Sequence, residues 1–359
     1  MIEQLVATRL PLIGQQCDGF LIRSTSNNVV GFSRRQILGL AIGLGLGTAA
    51  LPLRARKRSI LRVGLISDLN SSYGSTSYVP SVHQGLRQLI GLQPDLVVCA
   101  GDMVAGQKRG LTNGQLDAMW AGFNASVLRP LQAARIPLLP TVGNHDGSPD
   151  FPADREAVRR FWNPLRPQMG LAFVDASQFP FRYSVQNHGV FWLVWDASSA
   201  TISDEDVSWA RQQLTSAAAK SSEARFVVGH LPLLGISQGK DRPGEILRGW
   251  NKLQTLMENA DVKAYISGHH HAWFSSRWGQ LDLIQLGAMG SGPRRLLQGG
   301  PQPQQTFAVL EIDRQENSLT ETNYVVSTGQ PQPWGSTPKS LVTSRGRLQR
   351  NLPTRPLKP

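Results

Sequence analysis

The sequence predicts a mixed α/β domain between residues 59 and 326. Short apolar runs, rich in β-branched and aromatic residues, alternate with helix-like segments in the first half of this region. Most of the runs are followed directly by Gly or Asp, and side chains just past strand ends form the ligand sites of open α/β sheets. Hydrophobic residues make up 40% of the chain and charged residues 17%, which is typical of a globular protein with a sizeable core.

The apolar runs define the predicted elements. Seven runs are predicted as strands: residues 61–67, 96–100, 138–142, 190–195, 226–228, 264–267 and 281–285. Helix-like segments occupy residues 83–90 and 114–135, between the early strands. Residues 306–313 and 318–326 are predicted to pair as a hairpin around a polar turn.

The net charge of +12 resides at the two ends of the chain. Residues 1–58 and 327–359 each carry a surplus of six positive charges, which leaves residues 59–326 neutral. Because a nucleic-acid-binding domain usually concentrates positive charge on its folded surface, no nucleic-acid partner is expected. A basic membrane or nucleic-acid adaptor is an alternative that rests on the terminal charges alone. Residues 327–359 also contain six prolines and no acid, which predicts a flexible basic tail.

Residues 1–58 are predicted to be a leader with an export signal. Arg34 and Arg35 precede an apolar, glycine-rich run, an order similar to a twin-arginine signal. An uncleaved membrane anchor is the alternative, but the run of about 16 residues is shorter than the roughly 20 that a span requires. We therefore expect the twin-arginine machinery to export the chain to the periplasm or another extracytoplasmic compartment, the thylakoid lumen in a photosynthetic host. Membrane association is expected only if the leader stays uncleaved.

Five short polar motifs follow the predicted strands. They are Ser67-Asp68-Leu69-Asn70, Gly101-Asp102, Gly143-Asn144-His145-Asp146, Gly229-His230 and Gly268-His269-His270-His271. Their carboxylate, amide and imidazole groups suit Mn, Fe or Zn, and no thiolate is present for a closed structural zinc site. Residues two apart in an extended segment point the same way, so His269 and His271 can serve one site. Two ions about 3.5–4 Å apart can clamp both reacting oxygens of an in-line displacement.

The content and order of these motifs resemble the calcineurin-like metallophosphoesterase superfamily over residues 59–326. The GNHD and GHHH motifs are the most specific parts of the resemblance. It implies a four-layer αββα sandwich, in which two mixed β-sheets are flanked by helices. It also implies a dinuclear centre that holds two ions of Mn, Fe or Zn.

The resemblance further implies a role for each polar residue of the motifs. The implied ligands are Asp102 bridging both ions, Asp68 and His271 on the first, and Asn144, His230 and His269 on the second. His145 resembles the general acid of the family, which protonates the leaving oxygen while a metal-bridging hydroxide attacks phosphorus.

Two positions depart from the family pattern. The family usually has His two residues after the first Asp, where this chain has Asn70, and an amide oxygen is a poorer ligand for Zn or Fe. Many members have an Asp three residues after the bridging Asp, where it orients the catalytic His. Ala105 occupies that position here, so Asp146 is predicted to take over the role. Ala105 also replaces the Tyr ligand of the purple-acid-phosphatase branch, which argues against that branch.

Two further segments are candidates for the rim of the site. Arg294 and Arg295 lie in a Gly- and Pro-rich segment where a guanidinium can hold a phosphate oxygen. A solvated turn explains the same segment equally well. Residues 71–78 are predicted to form a loop near the site, and His270 is expected to point away from its neighbours and line the pocket mouth.

These expectations favour a metal-dependent hydrolase of phosphate mono- or diesters. The expected substrate is a small-molecule, lipid or nucleotide phosphate ester. The alternative is a degenerate family member that binds a phosphorylated ligand or partner without turnover. The departures from the family pattern at Asn70 and Ala105 support this alternative. The presence of His145 argues for an enzyme, because binding alone requires no general acid.

Overall fold

A computed structural model describes residues 59–290 and 292–357 of the chain. The predicted leader, with Arg34 and Arg35, lies outside the described residues. None of the helices in the described ranges combines the length and the apolar character that a membrane span requires.

The described residues form two β-sheets with helices between their strands in sequence. The strands are β1 (Ile60–Ile66), β2 (Leu96–Cys99), β3 (Leu138–Pro140), β4 (Phe173–Gln178), β5 (Arg182–Asn187), β6 (Val190–Val194), β7 (Ala224–Val228), β8 (Val262–Ser267), β9 (Phe274–Trp278), β10 (Leu281–Gln285), β11 (Thr306–Asp313), β12 (Ser318–Val325), β13 (Gln330–Pro331), β14 (Ser340–Thr343), β15 (Gly346–Arg350) and β16 (Thr354–Pro356). The α-helices are α1 (Pro80–Gly91), α2 (Asn113–Phe123), α3 (Arg129–Ala133), α4 (Asn144–Gly147), α5 (Pro152–Leu165), α6 (Asp204–Leu214), α7 (Ala217–Lys220) and α8 (Trp250–Glu258).

Both sheets are mixed, with the parallel strands at one end of the first sheet and at the centre of the second. The first has the order β13-β12-β11-β1-β2-β3, and β16 also pairs with β12. Within it, β1, β2 and β3 are parallel, whereas β11 and β12 are antiparallel to their neighbours. The second has the order β14-β15-β9-β10-β8-β7-β6-β5-β4, and β10, β8, β7 and β6 are parallel. The carboxyl ends of the parallel strands therefore meet along one edge of each sheet.

Two apolar cores hold the layers together. Trp192 of β6 belongs to the larger core, with Leu65 of β1, Val98 of β2 and residues of α1, α2 and α5. Its neighbours Phe191 and Leu193 point to the opposite face and pack in the second core with α6 and α8. This alternation places two sheets between layers of helices, which confirms the predicted αββα sandwich.

The predicted elements agree with the observed ones within a few residues. The run at residues 281–285 is β10, and the predicted hairpin is β11 and β12. The predicted helix at residues 114–135 is divided instead, because a π-helical turn over Asn124–Leu128 separates α2 from α3. Pro130 is the second residue of α3 and lacks the N–H that would continue a regular helix.

Residues 327–357 do not form the flexible tail that their composition predicts. Instead, β13 and β16 pair with β12 of the first sheet, while β14 and β15 extend the second sheet through β9. Leu341 and Leu348 of these strands are buried in the second core. The prediction is wrong because average composition conceals short strands in which alternate residues are buried.

Arg355 of β16 links the two sheets from a buried position. Its Nε atom donates to Asp282 Oδ2 of β10 at 2.6 Å, and its Nη2 atom donates to Glu321 Oε2 of β12 at 3.0 Å. Glu321 also accepts hydrogen bonds from Trp273 and Ser275. Burial opposes the charge of Arg355, but the two carboxylates outweigh it and raise the pKa of the guanidinium. Arg355 thus pairs with a buried acid from each sheet, and Arg277 is a second cationic partner of Asp282, at 3.0 Å from Oδ1.

We predict that Arg355→Ala lowers the free energy of unfolding by about 3–5 kcal/mol, because buried Glu321 loses its cationic partner and buried Asp282 loses one of two. Urea denaturation of the full chain measures this loss. The matched control is Arg347→Ala in the neighbouring β15, where the arginine is exposed and the expected change is about 0.5 kcal/mol or less. Equal stabilities of the two variants would contradict a bridging role for Arg355.

Candidate metal centre

The polar motifs converge at the carboxyl ends of the central strands. In chain order, β1 is followed by Asp68, β2 by Asp102, β3 by Asn144, β7 by His230, and β8 by His269 and His271. Because the strands that carry them are parallel within each sheet, the motifs emerge on one side of the sandwich.

Three of these residues form a first cluster of ligand atoms. One atom each from Asp68, Asp102 and His271 lies within 4.8 Å of the others. His271 Nε2 is 3.2 Å from Asp68 Oδ1, and both carboxylates are buried. This spacing allows the three side chains to coordinate one cation.

A second cluster lies beside the first and shares Asp102 with it. Asn144 Oδ1 is 3.0 Å from His230 Nε2 and 2.9 Å from His269 Nδ1. His230 Nε2 is also 3.3 Å from Asp102 Oδ1. The Asp102 carboxylate therefore lies between the two clusters, in the position of a bridging ligand.

Hydrogen-bond acceptors outside the clusters, called outer partners below, determine which atom each imidazole or amide ligand turns toward the clusters. The contacts are His230 Nδ1 to the Ala100 carbonyl (2.7 Å), His271 Nδ1 to the Gly292 carbonyl (3.0 Å), His269 Nε2 to Glu245 Oε2 (2.8 Å) and Asn144 Nδ2 to Gln107 Oε1 (2.7 Å). Each partner accepts a hydrogen bond, so the opposite atom of each side chain faces the clusters and is the one that can donate an electron pair to a cation. His230 and His271 thus present Nε2, His269 presents Nδ1 and Asn144 presents Oδ1.

Two buried oxygens in the site lack a hydrogen-bond donor. They are Asp68 Oδ1 and Asn70 Oδ1, and the backbone N–H of Asn70 donates to the Asp102 carbonyl. A buried polar atom without a partner is costly, and coordination of a cation removes that cost. Together with the carboxylates and imidazoles, these oxygens make a set of donors that suits Mn, Fe or Zn. The residues present therefore fit a metal centre.

The backbone is held in an uncommon conformation at four of the clustered residues. The φ angles of Asp68, Asp102, His269 and His271 are 53°, 54°, 67° and 51°. Left-handed backbone at non-glycine residues costs roughly 1–3 kcal/mol and tends to occur at functional sites. Gly143 is required by close approach, because a Cβ atom there would lie 2.2 Å from Asp102 Oδ1. The candidate ligands therefore lie on tight turns, and packing of the surrounding structure maintains the uncommon backbone conformation of these turns.

Electrostatic coupling between the acids and imidazoles shifts several pKa values. Burial disfavours the charge of Asp102, but His230 and His145 outweigh it and hold the pKa of Asp102 well below its usual range. Burial likewise lowers the pKa of His230, yet Asp102 and Asp68 raise it to about 9. Burial lowers the pKa of His269 to about 4, so this imidazole is neutral at pH 7. The buried carboxylates thus require positive charge nearby, which a cation can supply.

His145 lies at the rim of the site, directly after Asn144. Its Nε2 atom is 3.9 Å from Asp102 Oδ2, and 20% of its side chain is exposed. Its Nδ1 atom lies 3.4 Å from the carbonyl oxygen of Gly106, which accepts a hydrogen bond from it. The backbone N–H of His145 donates to Asp102 Oδ1 at 2.9 Å. Nε2 is therefore the atom that faces the pocket.

Asp146 does not have the role that the sequence predicts for it. Its carboxylate accepts hydrogen bonds from the backbone N–H groups of Val104 and Gly143, at 2.9 and 2.8 Å. Burial, followed by the charge of Asp102, raises the pKa of Asp146 to about 7. Asp146 thus joins the loops after β2 and β3. The Gly106 carbonyl, rather than the Asp146 carboxylate, contacts the His145 ring.

His270 is also placed differently from the expectation. Its ring is fully buried, where Nδ1 accepts from the Ile236 N–H and Nε2 donates to the Glu245 carbonyl. It therefore fastens the loop between β7 and α8 and does not line the pocket mouth. The reason is that His269 and His271 both turn toward the metal clusters, which leaves His270 facing the protein interior.

The rim contains one aromatic residue and two exposed arginines. Tyr73, in the loop that follows β1, is 55% exposed and stacks obliquely near His145, with ring centroids 5.0 Å apart. The Arg294 backbone N–H donates to the His271 carbonyl, while its side chain is exposed. The Arg295 side chain donates to Gln302 at 2.7 Å and is directed along its own loop. Arg294 is thus tied to the site through its backbone.

Three polar residues at the site are absent from the predicted set. Gln107 holds the amide of Asn144, Glu245 holds the ring of His269, and Lys240 Nζ lies 3.3 Å from His269 Nε2. All three lie in irregular loops several residues past a strand end, Gln107 after β2 and the other two after β7, and outside the polar motifs. The sequence therefore offers no signal that would distinguish them from other polar loop residues.

Comparison with known proteins identifies the family. The model of the calcineurin-like phosphoesterase family matches residues 61–273, more than half of the chain. No curated protein sequence is a significant match.

Two solved structures share the fold. A purple acid phosphatase from yellow lupin (Lupinus luteus) seeds has a TM-score of 0.57 at 16% identity, over 76% of this chain and 52% of the lupin chain. A dimetal phosphatase from Danio rerio has a TM-score of 0.53 at 14% identity, over 74% of this chain and 96% of its own. The chain thus spans about half the length of the lupin enzyme, and identities this low establish the fold alone. The family match over more than half of the sequence leads to one assignment: the chain belongs to the calcineurin-like phosphoesterase family.

Proposed function

We propose that this chain hydrolyses phosphate mono- or diesters at a centre of two cations, with His145 as the proton donor to the leaving oxygen. The observation that carries the proposal is the pair of ligand clusters that share Asp102. Asp68 and His271 would hold one cation, and Asn144, His230 and His269 the other. Asn70 Oδ1 would be a further ligand or a water partner.

The division of work between cations and protein follows from this arrangement. Bound cations supply Lewis acidity, which offsets charge on the phosphoryl oxygens and lowers the pKa of water. The protein fixes the ligands in place, because each neutral side chain is held at its outer atom by a hydrogen-bond acceptor. The buried walls around Asp68 and Asp102 exclude bulk water and strengthen these electrostatic effects.

His145 is placed to transfer a proton at the open side of the site. The Gly106 carbonyl accepts from Nδ1, so a protonated ring has its second proton on Nε2, which faces the pocket. Transfer of the Nε2 proton to the leaving oxygen lets the P–O bond break without release of an alkoxide.

We expect Asp102→Ala to lower the rate of hydrolysis of a nitrophenyl phosphate by about a thousandfold or more, because the shared ligand of both cations is lost. Purified protein loaded with Mn or Zn is assayed for turnover and for bound metal. Asp117→Ala, at an exposed acid of α2, is the matched control and should retain full activity. A wild-type protein that holds two ions and hydrolyses no mono- or diester would favour the alternative of ligand binding without turnover.

The effect of His145→Ala should depend on the leaving group. For an alkyl phosphate ester, whose leaving oxygen needs a proton, kcat should fall by about 10²–10⁴-fold. For a nitrophenyl ester, whose phenolate leaves unassisted, the loss should be much smaller. His188→Ala, in the turn between β5 and β6, controls for loss of a histidine far from the motifs. Equal losses for both esters, with metal content unchanged, would rule out proton donation by His145.

Export through the twin-arginine pathway is part of the same proposal. Its support is the order of Arg34, Arg35 and the apolar run in the leader. We expect Arg34→Lys combined with Arg35→Lys to leave the precursor in the cytoplasm, as followed by fractionation and immunoblotting. The control exchanges Arg54 and Arg56 for Lys in the same leader and should not alter export. Normal export of the first variant would refute the twin-arginine signal.

A further inference from the structure

Glu245 contacts one of the candidate metal ligands from outside the cluster. It lies in the segment between β7 and α8, and its Oε2 atom is 2.8 Å from His269 Nε2. The same oxygen accepts from Lys240 Nζ at 2.7 Å, and Oε1 accepts from Arg242 Nη2 at 3.2 Å. Both carboxylate oxygens are therefore engaged, and Oε2 faces the metal centre.

The contact fixes the His269 ring at both of its nitrogens. Because Glu245 accepts at Nε2, the proton of the neutral ring resides there, and Nδ1 presents its electron pair toward Asn144 Oδ1 and His230. The other outer partners, the carbonyls of Ala100 and Gly292, are uncharged. Among the described ligands, His269 is thus the one whose outer partner is a carboxylate.

The backbone of Glu245 is held as firmly as its side chain. The buried His270 ring donates to the Glu245 carbonyl at 3.1 Å and accepts from the Ile236 N–H at 3.2 Å. Neighbouring Asp241 accepts from the backbone N–H and the hydroxyl of Ser344, in the turn between β14 and β15. The loop that carries Glu245 is therefore joined both to the GHHH motif and to the C-terminal strands.

We propose that Glu245 is a positioning residue that orients His269, so that Nδ1 binds the cation shared with His230 and Asn144. This inference rests on the proposed function, because it requires a cation in that cluster. A carboxylate that accepts from a metal-binding imidazole fixes the tautomer and the ring direction, and its removal typically costs about 10–100-fold in metal affinity. Ion pairs of Glu245 with Lys240 and Arg242, without the contact to His269, would have no such effect on metal binding.

The test measures metal binding directly in the full chain. Apoprotein is titrated with Co²⁺, and two binding constants are obtained from calorimetry, with the visible Co²⁺ spectrum as a second readout. We expect Glu245→Ala to weaken one of the two ions by about 10–100-fold and to change the spectrum of that ion alone. Glu245→Gln retains an acceptor oxygen and should recover most of the lost affinity. Arg242→Ala, which removes only the exposed partner of Oε1, should bind both ions as the wild type does.

The outcomes separate this inference from the function on which it rests. A wild type that binds two ions and hydrolyses phosphate esters, with unaltered affinities in Glu245→Ala, overturns the role of Glu245 alone. Equal weakening of both ions in that variant also overturns it, because the effect would then be a general loss of structure. A wild type that binds fewer than two ions overturns the proposed two-cation function and this inference with it. If Glu245→Ala does not fold, Glu245→Met keeps the length of the side chain and carries the same expectation.

Discussion

Two buried carboxylates at the ends of adjacent strands constrain the rest of this structure. Asp68 and Asp102 repel each other and are shielded from water, so each requires positive charge or a strong donor nearby. His271 and His230 supply part of that requirement from the other sheet. The two sheets are thus held in register at their carboxyl edges by electrostatics as well as by the apolar cores. A metal centre at this edge resolves a charge imbalance that the fold itself creates.

Much of the support for the site comes from the main chain. Carbonyl groups of Ala100, Gly292 and Gly106 accept from three histidine rings, and amide groups of Val104 and Gly143 bind Asp146. A carbonyl can orient an imidazole whatever side chain its residue carries. This explains how the chain lacks an orienting acid at Ala105 and still holds His145 in place. Departures from a family motif therefore mean less where the backbone performs the same task.

The site was predictable from the sequence where an apolar run ends in a polar motif, because strand periodicity and ligand chemistry coincide there. This holds for Asp68, Asp102 and the histidines after β8. Prediction fails for Gln107 and Glu245, because an irregular loop lacks the sequence periodicity that indicates which way a side chain points. It also fails for residues 327–357, where composition indicated disorder while pairing with β9 and β12 supplied the missing partners. Tertiary pairing of that kind leaves little trace in a single sequence.

The left-handed turns at the candidate metal ligands affect how this centre can evolve. Asn, Asp and His are the side chains that tolerate such backbone best after glycine, and all three are also metal donors. At Asp68, Asp102, His269 and His271, an exchange among these three types would preserve the loop geometry. Preference for one metal over another can therefore drift by single substitutions without refolding the loops. The left-handed backbone thus restricts these positions to a few residue types, but those types still allow the set of metal-binding atoms to change.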